Sequence, residues 1–284
     1  KSNNTLILIN KVKSANKFIA LDEFDIRIKI SEENSDIDQS VIKKLLSLDE
    51  SEKYQILYRY KQRVSMVIHD DPTYTLRIDL TDVKTTKNIT NINNSASVYE
   101  LEVDISFKKA IKDDILSKIL DSFGKTIINL EQFLQESSTL ITKTESTNII
   151  KSLNKLAYDD DNDTYKDLPA MQSASVEIQH VIDYIPGNYA VSDKADGERY
   201  FLMIQDNNVY IISNNLEVKK IKSNIGKKSQ YNLTVLDGEY IYIPKYKKFL
   251  FLTFDILFFQ GKDLRIEELL KNRLLLATKV LNDV

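Results

Sequence analysis

"KADGERYFLMI", residues 194–204, opens on a lysine, tightens at a glycine and runs into an apolar stretch. The chain has six glycines in 284 residues, so one set between Asp196 and Glu198 marks a tight turn. Two readings are open for these residues. One is a polar turn joining two strands. The other is a turn that holds Lys194 as a nucleophile, with Asp196 orienting its amine and Arg199 reaching a sugar or phosphate. A protonated lysine is a poor nucleophile at neutral pH and becomes a good one where neighbours or burial lower its pKa.

Downstream, "LDGEYIYI" (236–243) places Glu239 on a strand behind a second Asp-Gly pair. "FLTFDILFF" (251–259) then places Phe254 and Asp255 inside a buried strand. A lysine turn, a Glu strand and a Phe-Asp strand in this order resemble the covalent nucleotidyltransferases, which comprise mRNA guanylyltransferases and polynucleotide ligases. The resemblance implies that Lys194 forms a phosphoramidate with GMP and releases pyrophosphate. It makes Asp196, Arg199, Glu239 and Phe254 GTP-binding residues: the arginine on the ribose, the glutamate on sugar or metal, the phenyl ring stacked on the base. That family's later Asp-Gly and Lys-x-Lys strands and its OB domain are then expected beyond residue 284.

The first hundred residues read mostly as strands. "TLILIN", "KFIAL", "FDIRIKI", "QILYRYKQRVSMVI", "YTLRIDLTDV" and "VYELEVDISF" alternate with period two between Asn-, Ser- and Asp-rich turns. On a strand, residues i and i+2 share a face. Arg59, Lys61 and Arg63 therefore line one face, as do Arg77, Asp79 and Thr81, and so do Glu100, Glu102 and Asp104. Half-solvated sheets commonly alternate in this way. Three like charges on one face repel, however, and that cost is offset if the acids hold a divalent ion and the bases hold phosphates. A closed barrel with the charged face inward would form one polar tunnel.

These strands, basic-x-Lys-x-Arg, Arg-x-Asp-x-Thr and Glu-x-Glu-x-acid, resemble the triphosphate tunnel metalloenzymes, in particular RNA triphosphatases of viral and fungal capping systems. By position the resemblance makes Glu100, Glu102 and Asp104 metal ligands and Lys61, Arg63 and Arg77 triphosphate ligands. Asp79 becomes the catalytic acid that organises metal or water. A first acidic strand is then expected upstream of Lys1, without which triphosphate hydrolysis would be poor.

A tunnel triphosphatase followed by a guanylyltransferase resembles the mRNA-capping enzymes of giant DNA viruses. The implied architecture is α+β. Residues 1–157 are expected as an antiparallel β-barrel tunnel domain, 158–168 as a linker, and 169–284 as the N-terminal part of a guanylyltransferase domain. The implied function is removal of the γ-phosphate of RNA, then GMP transfer from GTP through Lys194 to the diphosphate end. Implied cofactors are Mg²⁺ or Mn²⁺, and implied partners are GTP, the 5′ end of nascent RNA, and a cap methyltransferase or RNA polymerase. The implied location is intracellular, in the virion or the viral factory of the host cytoplasm. The alternatives are an ATP-dependent polynucleotide ligase, which has no use for a triphosphate tunnel, and a non-catalytic scaffold that retains both folds.

Composition agrees with this frame. Hydrophobic residues make up 42% and charged residues 29%, with a net charge of −3, so a basic site must be local. Without cysteine, disulfides and thiolate zinc sites are excluded; with two distant histidines, any metal is expected to be a hard cation on carboxylates. The longest apolar run, 249–259, is too short to cross a bilayer, so no membrane partner is expected. "FGKT" (123–126) lacks the glycine of a P-loop at Ile119, and "DDDNDT" (159–164) lacks the glycine and closing glutamate of a calcium loop. His69, beside Asp70 and before Pro72, reads as a turn residue.

Overall fold

The computed structural model describes residues 9–34, 37–47, 57–160, 170, 174–183, 185, 190–225, 229–266 and 269–284. The expected strand "TLILIN" and the expected linker lie largely outside the described residues. Two compact units are present, Lys1–Leu130 and Glu131–Val284. The sheets are antiparallel and alternate with helices, so the α+β class is as expected. Among the described residues no sheet closes into a barrel.

In the first unit, β1 (Asn10–Leu21) and β2 (Ile26–Asn34) form a two-stranded ribbon. A short helix not expected from the sequence, α1 (Gln39–Leu46), follows. Strands β3 (Tyr58–Asp70), β4 (Tyr74–Thr86) and β5 (Ser97–Phe107) form a meander with β4 in the centre. The β3–β4 turn is tied by Asp71, whose Oδ1 accepts from Thr73 N (2.6 Å) and Tyr74 N (2.9 Å). The meander buries its charged side only along the middle of β4. In mid-β4, Asp79, Thr81 and Val83 are buried, whereas Leu80 on the opposite face is 54% exposed. Helix α2 (Asp113–Leu134) follows.

The second unit is built on a six-stranded antiparallel sheet. Its strands are β6 (Glu198–Gln205), β7 (Asn208–Ser213), β8 (Val218–Lys222), β9 (Thr234–Ile243), β10 (Lys248–Phe259) and β11 (Lys262–Asp263). Their order is β11-β10-β9-β6-β7-β8. Helix α3 (Lys143–Tyr158), capped by Thr142 through Glu145 N, buries Ile149, Ile150 and Leu153 with Phe201, Met203 and Val235. Helix α5 (Leu270–Asp283) buries Ala277 and Val280 with Leu202, Ile204, Leu236 and Ile256. Successive β6 side chains thus enter opposite cores, which is why "YFLMI" reads as an unbroken apolar run. Glu145 fastens α3 to the sheet: its Oε1 accepts from Tyr210 Oη (2.6 Å) and Lys220 Nζ (2.7 Å). Helix α5 does not begin until Leu270. Arg265 N donates to Asp263 Oδ1 (2.9 Å), turning the chain before the helix begins. A further short helix, α4 (Ile178–Asp183), precedes the Lys194 turn.

Candidate active sites

The charged side of the meander is an interleaved ladder of bases and acids. Ladder pairing aligns Arg63 with Thr81 and Glu100, and Ser65 with Asp79 and Glu102. Arg63 is the hub. Its Nε donates to Thr81 Oγ1 (3.1 Å), Nη1 to Asp79 Oδ2 (2.9 Å) and Nη2 to Glu102 Oε2 (2.8 Å). Arg77 Nε donates to the same Asp79 Oδ2 (3.1 Å), and its Nη2 lies 3.2 Å from Asp104 Oδ2. Glu100 faces Arg59 (2.5 Å) and Lys61 (3.6 Å). Burial pulls the Glu100 carboxyl upward, but Arg59 and then Lys61 outweigh it, so it lies below the usual carboxylate range.

The sequence-assigned phosphate ligands Lys61, Arg63 and Arg77 and the acids Asp79, Glu100, Glu102 and Asp104 therefore share one surface. The three expected metal ligands do not converge. Each is paired with a base, and among the described residues no group of three His, Cys, Asp or Glu side chains could hold an ion. Strand geometry gives the reason, since side chains at i and i+2 stand ~7 Å apart. One oxygen is unspent: Asp79 is 1% exposed, and its Oδ1 is buried without a hydrogen-bond partner. These are hard-oxygen donors of the kind a divalent cation takes, but as placed they make no cation site; one would form only if the paired bases turned to an anionic substrate.

The second site grows from the β6–β9 pairing. Strand alternation puts Arg199, Asp237 and Glu239 on the α3 side of the sheet, past the end of the core that α3 covers. Gly197 N donates to Glu239 Oε2 (3.0 Å), so the Lys194 turn is clasped to the Glu strand. A Cβ at Gly197 would stand 2.6 Å from Ile241 Cγ1 and 2.8 Å from Tyr240 O, so the close approach requires glycine. A Cβ at Gly238 would likewise stand 2.6 Å from Phe251 Cζ and 2.7 Å from Leu252 O.

Arg199 is fixed from below. Its Nε donates to Asp237 Oδ1 (2.9 Å) and its Nη2 to Asp237 Oδ2 (2.6 Å), a bidentate pair. The guanidinium lies 5.7 Å from the Phe254 ring centroid, within cation–π range. The hydrogen bonds that Arg199 donates to the Asp237 carboxylate outweigh burial and raise the arginine pKa further. Asp237 is 2% exposed, and its burial outweighs the guanidinium, so its carboxyl is raised above the usual range. Thr253 Oγ1 donates to Asp237 O (3.0 Å), linking β9 to β10 at this point. Lys194 is open to solvent, its side chain 85% exposed, with Nζ 3.7 Å from Asp196 Oδ1. Phe254 is partly exposed beside Arg199.

Two residues of this site escaped the sequence reading. Asp237 is the acid of the Asp-Gly pair in "LDGE", which reads as a turn but lies within β9. Arg273 of α5 holds Asp255 through Nε–Oδ1 (2.7 Å) and Nη2–Oδ2 (3.0 Å). Asp255, known from sequence only as a buried-strand acid, is thus an anchor for α5.

Residues 126–284 match the family described as mRNA capping enzyme, catalytic domain. The chain is 33% identical over 262 residues to a probable mRNA-capping enzyme of Acanthamoeba polyphaga mimivirus, covering 92% of this chain and 20% of that protein. It is 26% identical over 223 residues to an mRNA-capping enzyme of African swine fever virus (isolate Warthog), covering 69% of this chain and 23% of the viral protein. The chain therefore spans about a fifth of the length of the curated relatives it matches. Among the described residues no helix is long and apolar enough to cross a membrane.

Proposed function

This chain belongs to the mRNA-capping enzyme family, and on that footing we propose that its second unit carries the covalent guanylyltransferase step. The observation that carries the reading is the Gly197–Glu239 clasp, which sets the lysine turn against a strand whose neighbouring side chains are Asp237-held Arg199 and Phe254. Deprotonated Lys194 Nζ attacks the α-phosphorus of GTP, a P–N bond forms, and the bond to the bridging β-phosphate oxygen breaks. Pyrophosphate leaves with the electron pair. An oxygen of the RNA 5′-diphosphate then attacks the phosphoramidate, and the P–N electrons return to Nζ, which is reprotonated. Arg199 and Glu239 bind the ribose, and Phe254 stacks on the base. Asp196, its Oδ1 3.7 Å from Nζ, orients the amine as the nucleotide arrives in this reading.

For the first unit, we infer that the charged face of the meander works on the RNA 5′-triphosphate. Lys61, Arg63 and Arg77 bind the phosphates. Asp79, Glu100, Glu102 and Asp104 would hold Mg²⁺ or Mn²⁺, which neutralises phosphate charge and acidifies water when bound. The buried charged side of β4, opposite the exposed Leu80, supports a tunnel-wall orientation for this sheet. Protein partners and a viral-factory location stay with this proposal.

The test is stoichiometry. Full-length protein incubated with GTP and Mg²⁺ should release pyrophosphate once per active chain and carry GMP on Lys194 by peptide mapping. Turnover of GTP to GDP with no adduct would overturn the reading, and an AMP adduct from ATP alone would move the chain to the ligases.

A further inference from the structure

Beyond the two sites, the β9–β10 hairpin carries an unusual surface. Residues 240–254 contain three lysines, Lys245, Lys247 and Lys248, six aromatics, and no acid. The hairpin turns at Pro244, with Tyr246 N donating to Ile243 O (3.1 Å) and Lys247 N to Pro244 O (3.2 Å). All three lysines are exposed. Among the described residues none of them is paired with a carboxylate. Exposed aromatics flank them: Tyr246 (63%), Phe249 (56%) and Tyr242 (48%). Phe249 stacks on Tyr240 with centroids 4.7 Å apart and planes 7° apart, and Tyr242 leans on Phe249 at 4.9 Å. Lys245 lies 5.4 Å from the Tyr246 ring. The same two strands bear Glu239 and Phe254 at the other end of the arm; Glu239 faces the α3 side, whereas the Tyr240–Phe249 stack faces the α5 side, so an RNA using both passes round the hairpin tip.

We propose that the tip of this hairpin is a docking surface for single-stranded RNA, engaging the strand a few nucleotides behind the 5′ end that Lys194 serves. This inference rests on the guanylyltransferase reading for its direction but not for its chemistry. Unpaired lysines match the phosphate backbone, and half-exposed rings offer sequence-tolerant stacking faces. An uncharged apolar tip would suit a protein partner; three unpaired cations beside aromatics favour a polyanion. From Glu239 to the end of β9 at Ile243 the strand advances about 13 Å, and the path must also round the tip, so an acceptor of two nucleotides would not span both sites, while one of twenty would.

The experiment uses full-length protein and 5′-diphosphate RNAs of two and twenty nucleotides. Lys245→Ala/Lys247→Ala/Lys248→Ala should leave GMP labelling from GTP and transfer to the dinucleotide unchanged. It should weaken transfer to the twenty-mer roughly tenfold at moderate salt. Direct binding of the labelled twenty-mer should lose about 2 from its slope of log affinity against log salt, about 0.7 for each lost phosphate contact. Tyr246→Ala should weaken twenty-mer binding without altering the slope. Equal twenty-mer binding by the triple variant and the unaltered protein would overturn the inference. A defect that appears only when a partner protein is added would overturn it in favour of a protein dock. If the unaltered protein takes no GMP, the guanylyltransferase reading fails alone, because the binding slopes still decide this inference.

Discussion

Removing Asp237 is expected to damage the fold and the site together, by separable amounts. Asp237 is 2% exposed, and the Arg199 side chain is 16% exposed. Asp237→Ala deletes two charge-assisted hydrogen bonds, at 2.9 and 2.6 Å, and leaves a guanidinium with little access to water. Breaking a buried pair from one side costs about 3–5 kcal/mol, whereas replacing both partners by apolar groups is often near neutral. Against a typical domain stability of about 5–15 kcal/mol, the single variant should still fold, with a visibly lower urea midpoint. The double variant Asp237→Ala/Arg199→Leu should recover most of the loss, giving a coupling energy of about 2 kcal/mol or more. Labelling with GMP should be lost in both, because neither retains an oriented guanidinium. Asp237→Asn, which keeps the shape but not the charge, should lower GTP affinity more than the rate of the covalent step. A cost below about 1 kcal/mol for Asp237→Ala, or strictly additive single and double variants, would refute the claim that this pair positions Arg199.

Gly197→Ala must place a methyl group 2.8 Å from a backbone oxygen, Tyr240 O. It should cost about 1–3 kcal/mol in thermal or urea unfolding and suppress GMP labelling, whereas Gly124→Ala, mid-helix in α2 with nothing within 4 Å, should stabilise by about 0.5–1 kcal/mol and leave labelling unchanged. Asp71 is held at about 2 by the Tyr74 amide, then the His69 imidazole, then the Thr73 amide. Its folded pKa is depressed, so its contribution is present above pH ~4 and is lost as pH falls toward 2. Unfolding curves of Asp71→Asn and unaltered protein should differ at pH 6 and converge near pH 2. Glu100→Ala should abolish phosphate release from 5′-triphosphate RNA while leaving GMP transfer intact, assayed side by side on full-length protein.

The second unit was the more legible from sequence. Its strands were announced by long apolar runs because both faces of the sheet are covered along β6 and the end of β10, Ile256–Phe258, so these needed no alternation to be recognised. The Lys194 turn and the Glu239 strand were visible as glycine punctuation, and the clasp between them follows from how closely Gly197 approaches β9. The acid partner of Arg199 was not visible: an Asp before Gly looks like turn chemistry, and only ladder pairing shows Asp237 buried in mid-strand. The Asp255–Arg273 pair was hidden because its members lie 18 residues apart on a strand and a helix. In the first unit, period-two reading grouped the charged side chains correctly by face. It could not show that Glu100 and Glu102 would take bases from β3, and Asp104 one from β4, instead of gathering round one point. That depends on register across β3, β4 and β5, which a single strand does not encode.

The central claim is a covalent bond at Lys194, and adduct formation on full-length protein tests it most directly. With Mg²⁺ and GTP labelled at the α-phosphate, label should survive denaturation, require guanine over adenine, and vanish in Lys194→Ala while that variant keeps its unfolding midpoint. Label that persists in Lys194→Ala, or that comes from ATP and not GTP, would contradict the account.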